Sequence, residues 1–221
     1  MVRIQSTETA RLDPASIRYD IRAAGVIVAA VIGLEAAAAA LPWPPLITTG
    51  LIRVIDCVLI CAVTAFYFDR TTLPGLFPAR FRVGLLHGIY WTAGFGAIAG
   101  IVGMACYLAG IDPLALVHVD LPAGTGRLIR FFAVGGIIGP AAEELFFRGV
   151  LYGVLRRLGV GIALILSTLL FVLAHSGGGI AFPQIVGGLV FAAAYEYENN
   201  LIVPIVIHIC GNLALFCLGF F

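Results

Sequence analysis

From residue 25 onward the chain alternates long apolar runs with short polar intervals. Seven runs read as helices, at about 25–41, 47–68, 83–110, 128–155, 160–174, 180–195 and 201–220. Most approach the ~20 residues an α-helix needs to cross a bilayer. Pro42-Trp43-Pro44-Pro45 closes the first run, because no helix passes through such a turn. Gly96-x-x-x-Gly100 in the third predicts a close helix contact. The pattern therefore predicts an all-α, polytopic transmembrane helical bundle of about seven spans. Residues 1–24 read as a polar arm ending in a short amphipathic helix around 17–21. Residues 25–126 hold spans 1–3 and their loops, and residues 127–221 a core of spans 4–7. No internal repeat is evident.

Composition agrees. Of 221 residues, 61% are hydrophobic and 11% charged, and the mean hydropathy is +1.07. Soluble domains are about half apolar and a quarter charged. A net charge of +1 leaves no basic face for a nucleic-acid partner. All thirteen basic residues are Arg, and the absence of Lys excludes Schiff-base chemistry and a Ser–Lys dyad. The five cysteines lie within apolar runs and read as small buried hydrophobes, not as a disulfide framework. The first 25 residues lack the apolar core of a cleaved signal peptide, so the first span is expected to serve as the targeting signal. Arg3, Arg11, Arg18, Arg22, Arg70, Arg80, Arg82, Arg156 and Arg157 fall on one side of a seven-span topology, and only Arg127 and Arg130 on the other. The positive-inside rule then puts the N-terminus in the cytoplasm. The short, Ala- and Gly-rich chain reads as bacterial, which implies the inner (plasma) membrane.

Against this background a few polar residues stand out. Arg53 and Asp56 are i, i+3 neighbours and read as an intrahelical pair, with Glu35 a candidate further partner of Arg53. The fourth run carries Glu143, Glu144 and Arg148. A charge at the bilayer centre costs at least ~2.5–3.5 kcal/mol, so such residues face a protein interior and mark function. Adjacent Glu143 and Glu144 point about 100° apart on a helix. Glu144 and Arg148, at i, i+4, neutralise each other, which leaves Glu143 as the free carboxylate. Pro140, with Gly135, Gly136 and Gly139 just before it, loosens the helix beside that carboxylate. His175 closes the fifth run, and His208 and Asn212 lie at i, i+4 in the last.

Taken singly, each of the last three reads as a cap or an interhelical clamp. Depth changes that. At 1.5 Å per residue from the cytoplasmic ends, Glu143 lies roughly 20 Å deep, His175 roughly 22 Å, His208 about 10 Å and Asn212 about 16 Å. Three helices thus place polar groups in a shared layer. A carboxylate, two imidazoles and an amide can activate water, protonate a leaving amine and hold an oxyanion. Glu143, His175 and His208 are also a competent set of zinc ligands, so no cofactor is certain and a divalent metal stays open. Against metal, no H-E-x-x-H occurs, and Glu144 would be left as the only base.

These residues resemble the CPBP family, the CAAX-protease and bacteriocin-processing (Abi) intramembrane proteases. Its pattern is E-E-x-x-x-R, F-x-x-x-H and H-x-x-x-N on successive helices. Here these are Glu143-Glu144-Leu145-Phe146-Phe147-Arg148, Phe171-Val172-Leu173-Ala174-His175 and His208-Ile209-Cys210-Gly211-Asn212. The resemblance covers about residue 131 to the C-terminus. It implies that Glu143 and His175 activate water, that His208 and Asn212 stabilise the oxyanion, and that Glu144, Arg148 and Phe171 support the site. The implied activity is cleavage of a peptide or membrane-protein substrate at or within the bilayer, by CAAX-type, peptide-processing or C-terminal sorting-tail chemistry. A non-catalytic scaffold or bacteriocin-immunity protein is the alternative, and a small transporter a third. An intact set of four polar residues favours the protease, and the lack of an inverted repeat disfavours the transporter.

Overall fold

The computed structural model describes residues 21–67, 78–175 and 182–221. The polar arm before residue 21, including most of its expected amphipathic helix, lies outside the described residues, as do most of the loop expected at 69–82 and Ser176-Gly177-Gly178-Gly179. Within them seven helices and no strands form an all-α helical membrane bundle. They are α1 (Ile21–Ala39), α2 (Pro45–Tyr67), α3 (Pro78–Leu108), a composite α4 over 125–158, α5 (Val160–Ala174), α6 (Phe182–Glu198) and α7 (Ile202–Leu218). Helix α1 begins four residues before the expected boundary, and Arg80 and Arg82 belong to the start of α3.

By length and composition α1, α2 and α3 can each cross a membrane, whereas α5 and α7 are shorter apolar helices. Fifteen residues in α5 rise only about 22 Å, short of a ~30 Å hydrocarbon core.

Helix α3 packs chiefly on α7, α5 on α6, α6 on α7, and α2 on the first half of α4. The close α3–α7 approach runs through Gly84 and Gly88. A Cβ there would come within 2.5 Å of the Asn200 side chain and 2.6 Å of the Val206 side chain, respectively. A Cβ on Gly96 or Gly100, the expected contact, would meet nothing within 4 Å among the described residues. The expected contact at Gly96 and Gly100 is thus not made; the close approach lies just over three turns nearer the start of α3. The α4–α5 corner turns on Gly159, whose φ of +114° suits a residue without a side chain.

Two clusters hold the interior. One joins Ala24, Ile27 and Val31 of α1 with Ile60, Leu145, Val150, Tyr152, Ala163 and Tyr195. The other, Phe147, Phe171, Phe191, Ala194, Val203 and Ile207, surrounds the polar layer. Arg156 closes the far end of α4 onto α6 through two-pronged contacts of 2.8–3.0 Å to Glu196, which also accepts from Tyr152 at 2.9 Å.

Candidate active site

The site starts with a fault in α4. Residues Val134–Ile138 and Leu145–Tyr152 wind as π-helix on either side of Gly139–Glu144. Such insertions cluster at functional sites, because they turn side chains and free backbone groups. In the first, the Gly139 N–H donates to the Val134 carbonyl, five residues back. The next donor in that register would be Pro140, which has no N–H. The Gly135 carbonyl is thereby left open, and Asn212 Nδ2 donates to it at 2.9 Å. One of two amide donors on Asn212 is thus committed to α4.

Glu144 and Arg148 are fully buried and paired, with Arg148 Nη1 donating to Glu144 Oε1 at 2.9 Å. Arg148 Nη2 donates to the Gly188 carbonyl at 3.1 Å, fastening α4 to α6. The guanidinium lies 4.8 Å from the Phe171 ring and 5.4 Å from that of Phe191, so cation–π attraction offsets part of its burial cost. Glu144 Oε2 and Arg148 Nε have no hydrogen-bond partner among the described residues.

His208, 4% exposed, lies between the two glutamates. Its Nδ1 is 2.8 Å from Glu144 Oε1 and its Nε2 is 3.8 Å from Glu143 Oε2. A carboxylate paired with Arg148 only accepts, so Nδ1 carries the hydrogen. Phe191 stacks on the ring at 4.5 Å and Phe171 meets it edge-on at 5.7 Å. His175 is held the same way. Its Nδ1 donates to the Phe171 carbonyl at 2.8 Å, and its Nε2 faces Glu143 Oε2 at 3.4 Å. A carbonyl can only accept, so in the neutral ring the His175 Nε2 presents a lone pair to Glu143. Two acceptors aimed at one small space can share a proton or bind a water that donates to both.

Glu143, His175 and His208 from three helices thus meet around Glu143 Oε2, while Asn212, one turn beyond His208, reaches the adjoining backbone. Glu143 and His175 keep partial exposure, 13% and 29% at the side chain. Zinc binds nitrogen and oxygen ligands at about 2.0–2.2 Å. Among the described residues no group of three His, Cys, Asp or Glu is disposed to hold a metal ion, so the residues as they stand do not fit one.

Two features escaped sequence reasoning. Phe191 and the Gly188 carbonyl complete the surroundings of His208 and Arg148, yet nothing in their run marks them out. His87 and Glu198 pair at 2.6 Å, with Trp91 donating to Glu198 at 2.9 Å. They lie along a cleft of about 500 Å³ between α3 and α6 that does not include the Glu143 layer. A histidine inside the third apolar run was the available signal.

Comparison with known proteins bears on the same helices. Residues 125–214 match the family described as Type II CAAX prenyl endopeptidase Rce1-like. The chain is 37% identical over 83 residues to the membrane-embedded CAAX protease MroQ of Staphylococcus aureus (strain USA300), covering 34% of each chain. It is 33% identical over 79 residues to UPF0177 protein YxdF of Lactococcus lactis subsp. lactis (strain IL1403), covering 35% of this chain and 44% of that one. The chain therefore spans less than half the length of these curated relatives. No solved structure matches.

Proposed function

We propose that the chain, whose residues 125–214 match the Rce1-like family, is an intramembrane endopeptidase that hydrolyses peptide bonds with water activated by Glu143 and His175. The observation that carries this reading is the pair of inward-facing acceptors, Glu143 Oε2 and His175 Nε2, 3.4 Å apart with the imidazole fixed from behind by Phe171.

A water hydrogen-bonded to both, from the open side of the pair, gives up one proton as its oxygen attacks the scissile carbonyl carbon. General-base assistance of this kind contributes about 10²–10⁴-fold. The proton then passes to the leaving amine as the C–N bond breaks, leaving one carboxylic acid and one amine. His208 Nε2, when its ring is doubly protonated, and the second N–H of Asn212 are the donors available to the oxyanion. Glu144 and Arg148 act indirectly: they hold the His208 ring by Nδ1 and lock α4 to α6. Phe171 serves both imidazoles, through its carbonyl and its ring. The substrate is a membrane-delivered peptide or protein, and a C-terminal tail is the expected form. The location follows as the inner membrane of a bacterium with the N-terminus cytoplasmic, which the arginine distribution supports.

Glu143→Ala and His175→Ala, each expressed beside wild type, test the assignment. The expected result is loss of cleavage by at least about 10²-fold at unchanged yield and thermal midpoint, read by mass spectrometry of new peptide termini in membranes. Turnover surviving both changes would remove the protease reading. Zinc or another metal stays outside the scheme. Metal content of active, chelator-treated protein, with activity retained at substoichiometric metal, is the expected outcome.

A further inference from the structure

Arg53 is a cation inside the membrane domain that the reaction above does not use. It lies on the face of α2 that runs from Gly50 to Ile60. A Cβ on Gly50 would come within 2.9 Å of the Val134 side chain, and Ile60 shares a core cluster with Leu145 and Val150. The face carrying Arg53 is thus laid against the stretch of α4 that holds Glu143. Helix α2 packs on Gly139–Glu144 itself.

The guanidinium is tethered on one side only. Nη1 faces Glu35 of α1 and, at 3.4 Å, Asp56 Oδ2. Nη2 and Nε make no hydrogen bond among the described residues. The two acids differ sharply. Asp56 is buried, its side chain 2% exposed, whereas the Glu35 side chain is 41% exposed. An intrahelical pair needs only Arg53 and Asp56. Glu35 adds a second carboxylate, from another helix, on a half-satisfied fork beside the catalytic layer.

Resting on the protease reading, we propose that Arg53 is the anchor for the C-terminal carboxylate of the substrate, and that Glu35 occupies this seat until substrate displaces it. The planar fork of Arg matches a carboxylate bidentately, through Nη2 and the Nη1 that Glu35 vacates. Exchange of one carboxylate for another keeps the charge of the cluster unchanged, so burial of the substrate terminus adds no unpaired ion. The endopeptidase would then favour bonds a short, fixed distance from a free C-terminus.

The test uses full-length protein in nanodiscs and a farnesylated peptide ending in a CAAX box, made with a free C-terminal carboxylate or a carboxamide. Binding is measured by fluorescence anisotropy in the Glu143→Gln background, and KM and kcat in the active protein. We expect the carboxylate peptide to bind about tenfold or more tightly than the amide, and Arg53→Gln to erase that preference. Glu35→Ala should tighten binding of the carboxylate peptide several-fold and lower KM with kcat unchanged. These opposite signs separate a seat from a clamp, since a clamp between α1 and α2 loses stability and activity on either change. Equal affinity for both peptides, absence of binding, or parallel losses in both variants would overturn the proposal. If Arg53→Gln and Glu35→Ala shift binding as expected while the active protein cuts neither peptide, the anchor stands and the protease reading fails. If both peptides are cut alike, with no response to Arg53→Gln, the reverse holds.

Discussion

At the scale of single residues, the proposed reaction separates the groups around Glu143 that would face the reacting space from those that would aim them. Arg148 is of the second kind. Its guanidinium is wholly buried between Glu144, the Gly188 carbonyl and two aromatic rings. Removing one member of such a pair strands the other charge, at a cost of about 3–5 kcal/mol. Arg148→Ala is therefore expected to lower the thermal midpoint and yield along with activity, whereas Arg148→Met combined with Glu144→Leu should recover stability but not turnover, since His208 then loses its Nδ1 partner. Thermal melts beside cleavage assays check this. A stable, inactive Arg148→Ala protein would make its part directly catalytic. The pairing of Glu144 with Arg148 was legible from i, i+4 spacing, because helix geometry alone decides it. The convergence of Glu143, His175 and His208 was legible only as a coincidence of depth. Which nitrogen faces which oxygen was not, since the Phe171 carbonyl and the Phe191 ring that orient the imidazoles carry no mark in the sequence.

At the scale of elements, the fault in α4 explains why Asn212 sits where it does. The missing N–H of Pro140 opens the Gly135 carbonyl, and Asn212 closes it from α7 at 2.9 Å. Leaving such a group unsatisfied costs about 1–3 kcal/mol. Asn212→Ala should accordingly destabilise the protein, and adding Pro140→Ala should restore part of the loss by returning a backbone donor to α4. Denaturation of the two single variants and the double variant gives the coupling directly. Activity that stays lost in the stabilised double variant would leave the second amide N–H as the catalytic contribution. A loosened helix near Pro140 was foreseeable from the Gly-Gly and Pro pattern, but its π register was not. That register depends on α7 supplying a side-chain donor, which is a tertiary fact.

The contact between α3 and α7 shows the same division. Small residues four apart mark a face capable of close approach, yet α3 offers two such faces, and only packing selects Gly84 and Gly88 over Gly96 and Gly100. Gly88→Leu should lower the thermal midpoint by several degrees and reduce activity by displacing His208, while Gly96→Leu should leave both unchanged.

At the scale of the whole molecule, the helices that carry the family match do not form a free-standing unit. Helix α7, which supplies His208 and Asn212, packs most extensively on α3, and the faulted half of α4 is covered by α2. The sequence placed the chemistry in residues 127–221 and left the first three spans without a role; their contacts are interhelical and carry no local signature. A chain beginning at residue 122 is thus expected to be unstable and inactive, for want of the surface that holds α7 against α4. The connection from 109 to 124 joins the two parts outside the long helices, so a cut there leaves each long helix whole. Co-expressed fragments 1–116 and 117–221 should therefore co-purify and recover cleavage, whereas Gly84→Leu together with Gly88→Leu in the first fragment should abolish both. Co-purification read by affinity pull-down, with activity measured on the same sample, decides the matter. An active second fragment on its own would mean that α1–α3 serve substrate capture alone, and that α7 reaches Glu143 without help.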